Sequence, residues 1–375
     1  MKRMSLGAVI GALVCVATSG AAQKEPSTAV VPAAGPTIHI EDVERFYKIY
    51  DDAGGHPTAD QLQRDYIDPG SDGLHEFAKV RNITGKRIAE ALATHPAIYA
   101  DAKRCMAVLP RARQRLEVAL RTLGSLYPEA RLPPVTIAVG RGKPVGVGSP
   151  VSGVQIGLEA LCATNYLNPN VEDRFVHVIA HEYAHVQQAT ALVDDEPYST
   201  VLEGSLIEGA AEFTAELISG EVAYSQLAAS TQGHEKEVET AFVAAENATD
   251  LSQWLDNGTT EKPGDRGYWV GYRIVKSYYQ HAANKRQALR EILEMTDPRA
   301  FLTKSGWYPG IQLPALSRIS KSQRARVGQT VQSHRKRATQ TRPCTVSREA
   351  AAVSDHQLPR QMQPDAQSTP GARSA

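Results

Sequence analysis

The sequence predicts a mostly helical α+β protein, and three observations carry that expectation. Apolar residues recur three and four apart through much of 41–126 and 171–295, the period of an amphipathic helix. Two short runs interrupt them, Val135-Thr136-Ile137-Ala138-Val139 and Val154-Gln155-Ile156-Gly157-Leu158. They are β-branched or alternate apolar with small and polar residues, so they read as strands. From about Ser317 the periodicity stops, and no aromatic residue follows Tyr308, which leaves that stretch too little apolar surface to fold on.

With 375 residues and 42% apolar content, the chain can bury one large core or two modest ones. Its 41 basic and 41 acidic residues balance, but residues 318–375 hold 11 Lys/Arg against 3 Asp/Glu, leaving 30 against 38 elsewhere. A mildly acidic body gives no footing to a nucleic-acid partner.

Residues 1–22 have the layout of a secretory signal. Lys2 and Arg3 lead, Leu6 to Val16 is apolar, and Ser19-Gly20-Ala21-Ala22 offers a cleavage site. A secreted or periplasmic protein is therefore expected. Lipid anchoring at Cys15 is disfavoured by the bulky Val14, and no later run reaches the eighteen apolar residues of a membrane span. Residues 23–37, with Pro26, Pro32 and Pro36, read as a flexible leader.

A helical N-terminal region follows at 38–132, broken at Asp68-Pro69-Gly70 and His95-Pro96. Its longest helix, 111–126, carries Leu116, Leu120, Leu123 and Leu126 on one stripe. Residues 133–316 hold the two strands, a glycine-rich connection over 141–153, and a second run of helices. The first of these should start at an Asn170 cap and reach about Leu192. The second should span about Leu202 to Ser219 and stop at Gly220. Further helices are expected at 235–248, 267–283, 285–295 and 300–302. Residues 317–375 form a basic tail, expected to be disordered. Cleavage of the signal would leave Cys105, Cys162 and Cys344, enough for one internal disulfide. Cys105–Cys162 is the expected pair, with three free thiols as the alternative.

One stretch carries chemistry: His181-Glu182-Tyr183-Ala184-His185. On a helix, residues four apart share a face about 6 Å along the axis, so both imidazoles can reach one ion. Glu182 lies about 100° round from His181, beside such an ion, where it can take a proton from an activated water. A catalytic zinc site needs a third protein ligand and one open position. Glu208, twenty-three residues after His185, is the favoured ligand, because that distance allows a second helix to return antiparallel. Glu203 and Glu212 are the rivals. Glu212, one turn beyond Glu208, otherwise reads as the acceptor that fixes a histidine tautomer. Gly209, Ala210 and Ala211 should let the two helices approach around the ion. Tyr268 and Tyr272 are candidate donors to a developing oxyanion, or else core aromatics. His177, one turn before His181, reads as a buried or surface histidine rather than a ligand.

His-Glu-Tyr-Ala-His followed by Glu208-Gly209-Ala210-Ala211-Glu212-Phe213 resembles the gluzincin metallopeptidases. It is most similar to a bacterial family of predicted secreted zinc-dependent proteases. Leu126-Tyr127-Pro128-Glu129-Ala130, Gln155-Ile156-Gly157-Leu158-Glu159 and Ser305-Gly306-Trp307-Tyr308-Pro309-Gly310 add to the likeness, which covers about 38–315. The resemblance implies a zincin-like core with a small sheet packed on the motif helix. It also implies one Zn2+ held by His181, His185 and Glu208, with Glu182 as general base and Glu212 behind the ligands. Strand 154–158 would be the sheet edge beside the cleft, and the substrate a peptide or protein. The alternatives are a zinc amidohydrolase acting on a non-peptide amide, and an inactive zinc-stabilised envelope binding protein.

Overall fold

The computed structural model describes residues 37–143, 145–193, 198–259 and 264–316. The expected signal over 1–22, the expected leader apart from residue 37, Cys344 and the expected tail lie outside the described residues, Cys15 among them. Helices dominate, with one small mixed sheet. Among the described residues no helix is long and apolar enough to cross a membrane.

The N-terminal region forms helices Glu41–Asp52, Asp72–Arg81, Gly85–Thr94, Pro96–Ala102 and Leu109–Leu126. Local chemistry starts several of them. The Ser71 and Thr84 hydroxyls accept from the Leu74 and Arg87 amides, and Pro96 sits in a first turn, where its missing N–H costs nothing. These helices share one hydrophobic core with the rest, and β1 (Ile38–His39) pairs parallel with β2 (Val135–Ala138). Two buried tyrosines fasten the end of β2. The Tyr66 hydroxyl donates to the Val139 carbonyl and accepts from its amide, both at 2.8 Å. The Tyr99 hydroxyl donates to the Gly140 carbonyl at 3.2 Å.

The sheet order is β1-β2-β4-β3, with β3 spanning Gly146–Ser149 and β4 Gly153–Gly157. β4 runs parallel to β2 and antiparallel to β3. Two expectations are corrected here. The glycine-rich connection contains a strand, and that strand, not 154–158, is the edge. Glycine weakens an isolated strand, but here it permits contact. A β-carbon on Gly148 would overlap the Glu182 carbonyl, and one on Gly146 would overlap the Glu182 carboxylate. β3 therefore lies directly on the motif helix.

That helix spans Val171–Gln187. The Asn170 side chain accepts from the Asp173 amide at 3.0 Å, and Glu172 and Asp173 complement the dipole while pairing with Arg115. It stops five residues short of Leu192 because Gln188 turns extended, with ψ 168°. The second helix, Val201–Ser219, runs from a Thr200 cap to Gly220, whose φ of 105° suits a residue without a β-carbon. Gly209 does not face the motif helix, contrary to expectation. It meets Gly271 of a third helix, Arg266–His281, where a β-carbon on either residue would strike the other helix's backbone.

Cys105 and Cys162 are disulfide-bonded across 57 residues, which decides between the pair and the free thiols left open by the sequence, and they staple the N-terminal helices to the segment before the motif helix. The buried Arg174 guanidinium holds that segment again by donating to the Leu161, Cys162 and Asn168 carbonyls. Replacing both cysteines by serine should lower the unfolding free energy by about 2–4 kcal/mol, read as a shifted denaturation midpoint. An unchanged midpoint would show that the staple contributes nothing.

Candidate metal centre

The second helix returns beside the motif helix and brings three donor atoms together. His181 Nε2 and His185 Nε2 are 2.9 Å apart, and Glu208 Oε2 lies 3.2 Å from the first and 3.3 Å from the second. All three residues are buried. Ligands about 2.0–2.1 Å from a tetrahedral ion stand about 3.3 Å from one another, so the triangle has nearly the size that an ion would impose. Among the described residues this is the one trio with metal-ligand spacing.

The outer hydrogen bonds make the fit chemical as well as geometric. His181 Nδ1 lies 2.8 Å from Glu212 Oε1, and His185 Nδ1 lies 2.7 Å from Gln188 Oε1. A carboxylate can only accept. The Gln188 amide is oriented by its nitrogen, which donates to the Ile207 carbonyl at 2.8 Å. Both Nδ1 atoms must then carry the proton, so both Nε2 atoms of the neutral rings present bare lone pairs. Two lone pairs and a carboxylate at this distance need a cation among them. Their pKa directions express the same demand. Burial works against a charged His181 and His185, but the Glu208 carboxylate, with Glu212 at His181, outweighs it and raises both. Burial likewise opposes charge on Glu208, yet the facing imidazoles hold its carboxyl far below the ordinary range.

Glu182 sits next to the trio, beneath Gly146, and is buried. Burial raises its pKa, against the lowering influence of the His181 and His185 charges, which favours a carboxyl able to exchange a proton. Glu212 stands behind His181, its other oxygen held by the Tyr224 amide at 3.2 Å. Glu203, the rival ligand, points elsewhere: it caps the Ser199 amide at 3.2 Å. His177 is buried against the Ser219 hydroxyl at 2.7 Å, and burial pushes it down to about 4, so it stays neutral and apart.

The two tyrosines separate. Tyr268 lines the cleft, its ring nearly parallel to that of His181 with centroids 6.2 Å apart. Tyr272 is corrected: its hydroxyl donates to Glu216 at 2.8 Å and accepts from Lys276, away from the cleft. One helical turn placed them on a common stripe, but the half-buried Glu216 on the neighbouring helix captures the second. Three residues escaped sequence reading. Gln188 orients His185, Tyr198 donates to Glu208 Oε1 at 2.7 Å, and Tyr224 packs against Tyr268 with centroids 4.7 Å apart. Only Gln188 left a signal, as an amide directly after the motif helix.

The cleft over the trio has a volume of about 790 Å³. Its walls include β3, the motif helix, Tyr198 and Tyr268. Residues 160–297 match the model of a family described as predicted Zn-dependent protease (DUF2268). The matched stretch contains both ligand helices, Glu182 and Tyr268. No curated protein and no solved structure matches the chain.

Gln188→Leu should leave the His185 ring without its Nδ1 acceptor and weaken zinc binding about 10–100-fold. A chelator-competition titration reads this directly, and an unaltered affinity would remove Gln188 from the centre.

Proposed function

We propose that the protein is a secreted, gluzincin-type zinc peptidase in which His181, His185 and Glu208 hold one Zn2+. The observation that carries the reading is the triangle of donor atoms, with both histidine tautomers set by Glu212 and Gln188. The match of residues 160–297 to a family of predicted Zn-dependent proteases supports it. The Cys105–Cys162 bond supports an oxidising compartment, in keeping with the signal-like residues 1–22.

A zinc ion at this place would supply Lewis acidity toward a water and a carbonyl oxygen. The chain's own residues do the rest. The Glu182 carboxylate takes the proton of the attacking water and later hands it to the leaving amine. Tyr268 is the phenol in the cleft beside His181, and burial keeps it protonated by pushing its pKa well above the ordinary value; it serves as donor to the oxyanion. Glu212 and Gln188 hold the imidazoles in the ligating tautomer, and Tyr198 fixes the Glu208 carboxylate. The β3 edge offers backbone groups on which a peptide adds as an antiparallel strand.

Glu182→Gln should retain about one zinc per chain yet lose roughly 10²–10⁴-fold in turnover of a mixed peptide library. Full turnover in that variant would remove Glu182 as the base. Cleavage of small amides but never of peptides would favour the amidohydrolase reading. Tyr268→Phe should lower kcat about 10²–10³-fold with zinc content unchanged; a variant as fast as the parent would leave the oxyanion to another donor.

A further inference from the structure

The direction of β3 gives the cleft a polarity that its charges follow. β3 runs from Gly146 to Ser149, and the Glu182 carboxylate lies at its Gly146 end. A peptide paired antiparallel to β3 would place its reactive carbonyl near that end. Its residues after the cleaved bond would then run past Val145 toward Lys143, while its earlier residues would lie along Gly148 and Ser149.

The wall in that forward direction is basic. Arg81, the last residue of helix Asp72–Arg81, lines the cleft together with Lys143 and Lys79. Lys79 has a partner in Glu76, at 3.5 Å. Arg81 differs: its Nε is fully buried and has no hydrogen-bond partner among the described residues. The rest of the side chain is half-buried. A guanidinium presents five donors in a rigid fork, and leaving one buried and unmet costs free energy that folding does not require. Arg81 lines the same cleft as Glu182, so it stands in the site that holds the reacting position. Its place is also fixed from behind. The Arg141 side chain donates to the Arg81 carbonyl at 3.3 Å. The loop that carries Arg141 is anchored by the buried Glu159, which accepts from the Gly140 and Gly142 amides at 3.0 and 2.9 Å.

We propose that Arg81, with Lys143 beside it, forms an anion subsite that takes a substrate carboxylate on the C-terminal side of the cleaved bond. The carboxylate is either an acidic side chain or the terminus of a short peptide; a guanidinium fork bonds both alike. The inference rests on the peptidase reading for its direction, but binding tests it without turnover.

Matched peptides carrying Glu or Gln at the first or second position after the bond, each as free acid or C-terminal amide, separate the two sources. Dissociation constants are measured on zinc-loaded Glu182→Gln protein, with and without Arg81→Gln, and kcat/KM on the parent and Arg81→Gln. The subsite predicts roughly 10-fold or greater preference for the carboxylate in both readouts, the order of a charge-assisted hydrogen bond. That preference should collapse toward unity in Arg81→Gln and persist in part in Arg81→Lys. A preference for Glu marks a side-chain subsite, and one for free acid over amide marks a terminus subsite. Equal binding of all peptides overturns the proposal, as does a preference for acids before the bond or one that survives Arg81→Gln. If Arg81→Gln fails to fold, the parent's own Glu-to-Gln and acid-to-amide ratios still decide. Peptides that bind with the predicted preference but are never cleaved would sink the peptidase reading and leave the subsite standing.

Discussion

The structure depends on holding three mutually repelling donors within about 3 Å of one another. Neutral imidazole lone pairs at that separation, facing a carboxylate, are unfavourable in any folded protein without a cation between them. Packing must therefore force the arrangement. The motif helix is buried along almost its whole length, with β3 on one side and the second helix on the other. Neither ring can turn away, because Glu212 and Gln188 each hold an Nδ1 proton. The bridging protons are all on the outside of the site, and the inside is left with acceptors only. Removing either outer acceptor would let a ring exchange tautomers and present an N–H where a lone pair is needed.

Much of this was legible because it is local. A histidine pair four apart on a helix defines a face without reference to anything distant, and the Asn170 and Thr200 caps with Gly220 fix where the two helices begin and end. The return of a carboxylate-bearing second helix was legible in the interval after His185, but spacing left Glu203 and Glu212 as rivals to Glu208 until the structure placed them. Even so, the motif helix ended early, at Gln187, for a reason that lies in the tertiary structure. The Gln188 amide bridges His185 and the Ile207 carbonyl, and the extended residue it needs stops the helix. Propensity cannot anticipate a terminus set by a partner on another helix.

Two of the misreadings have a common physical origin in small residues. The glycines of 140–153 read as loop, because glycine is a poor strand former when nothing lies against it. Their value is in what they omit. With no side chain, β3 can rest on the backbone of Glu182, and it thereby becomes the edge that sequence reading gave to 154–158. Gly209 repeats the lesson, since its missing side chain admits Gly271 rather than the motif helix. Close approach is a pairwise property. A lone glycine announces that something comes near without saying what.

The same close approach explains why the cleft has a direction. If β3 stood at the usual distance from the motif helix, with ordinary side chains between them, Glu182 would be separated from the edge proposed to receive a peptide. Because Gly146 and Gly148 bring the edge against Glu182, its carboxylate lies at the Gly146 end of the strand rather than midway along it. In the proposed binding mode a peptide strand, advancing about 3.3 Å per residue, would run from Glu182 toward the wall holding Arg81. Glu159, buried beneath that loop, shares in that geometry, because its bonds to Gly140 and Gly142 set where the chain leaves β2. One buried carboxylate beneath the loop and two glycines above the motif helix thus place the proposed base, the proposed peptide edge and the basic wall in a fixed order.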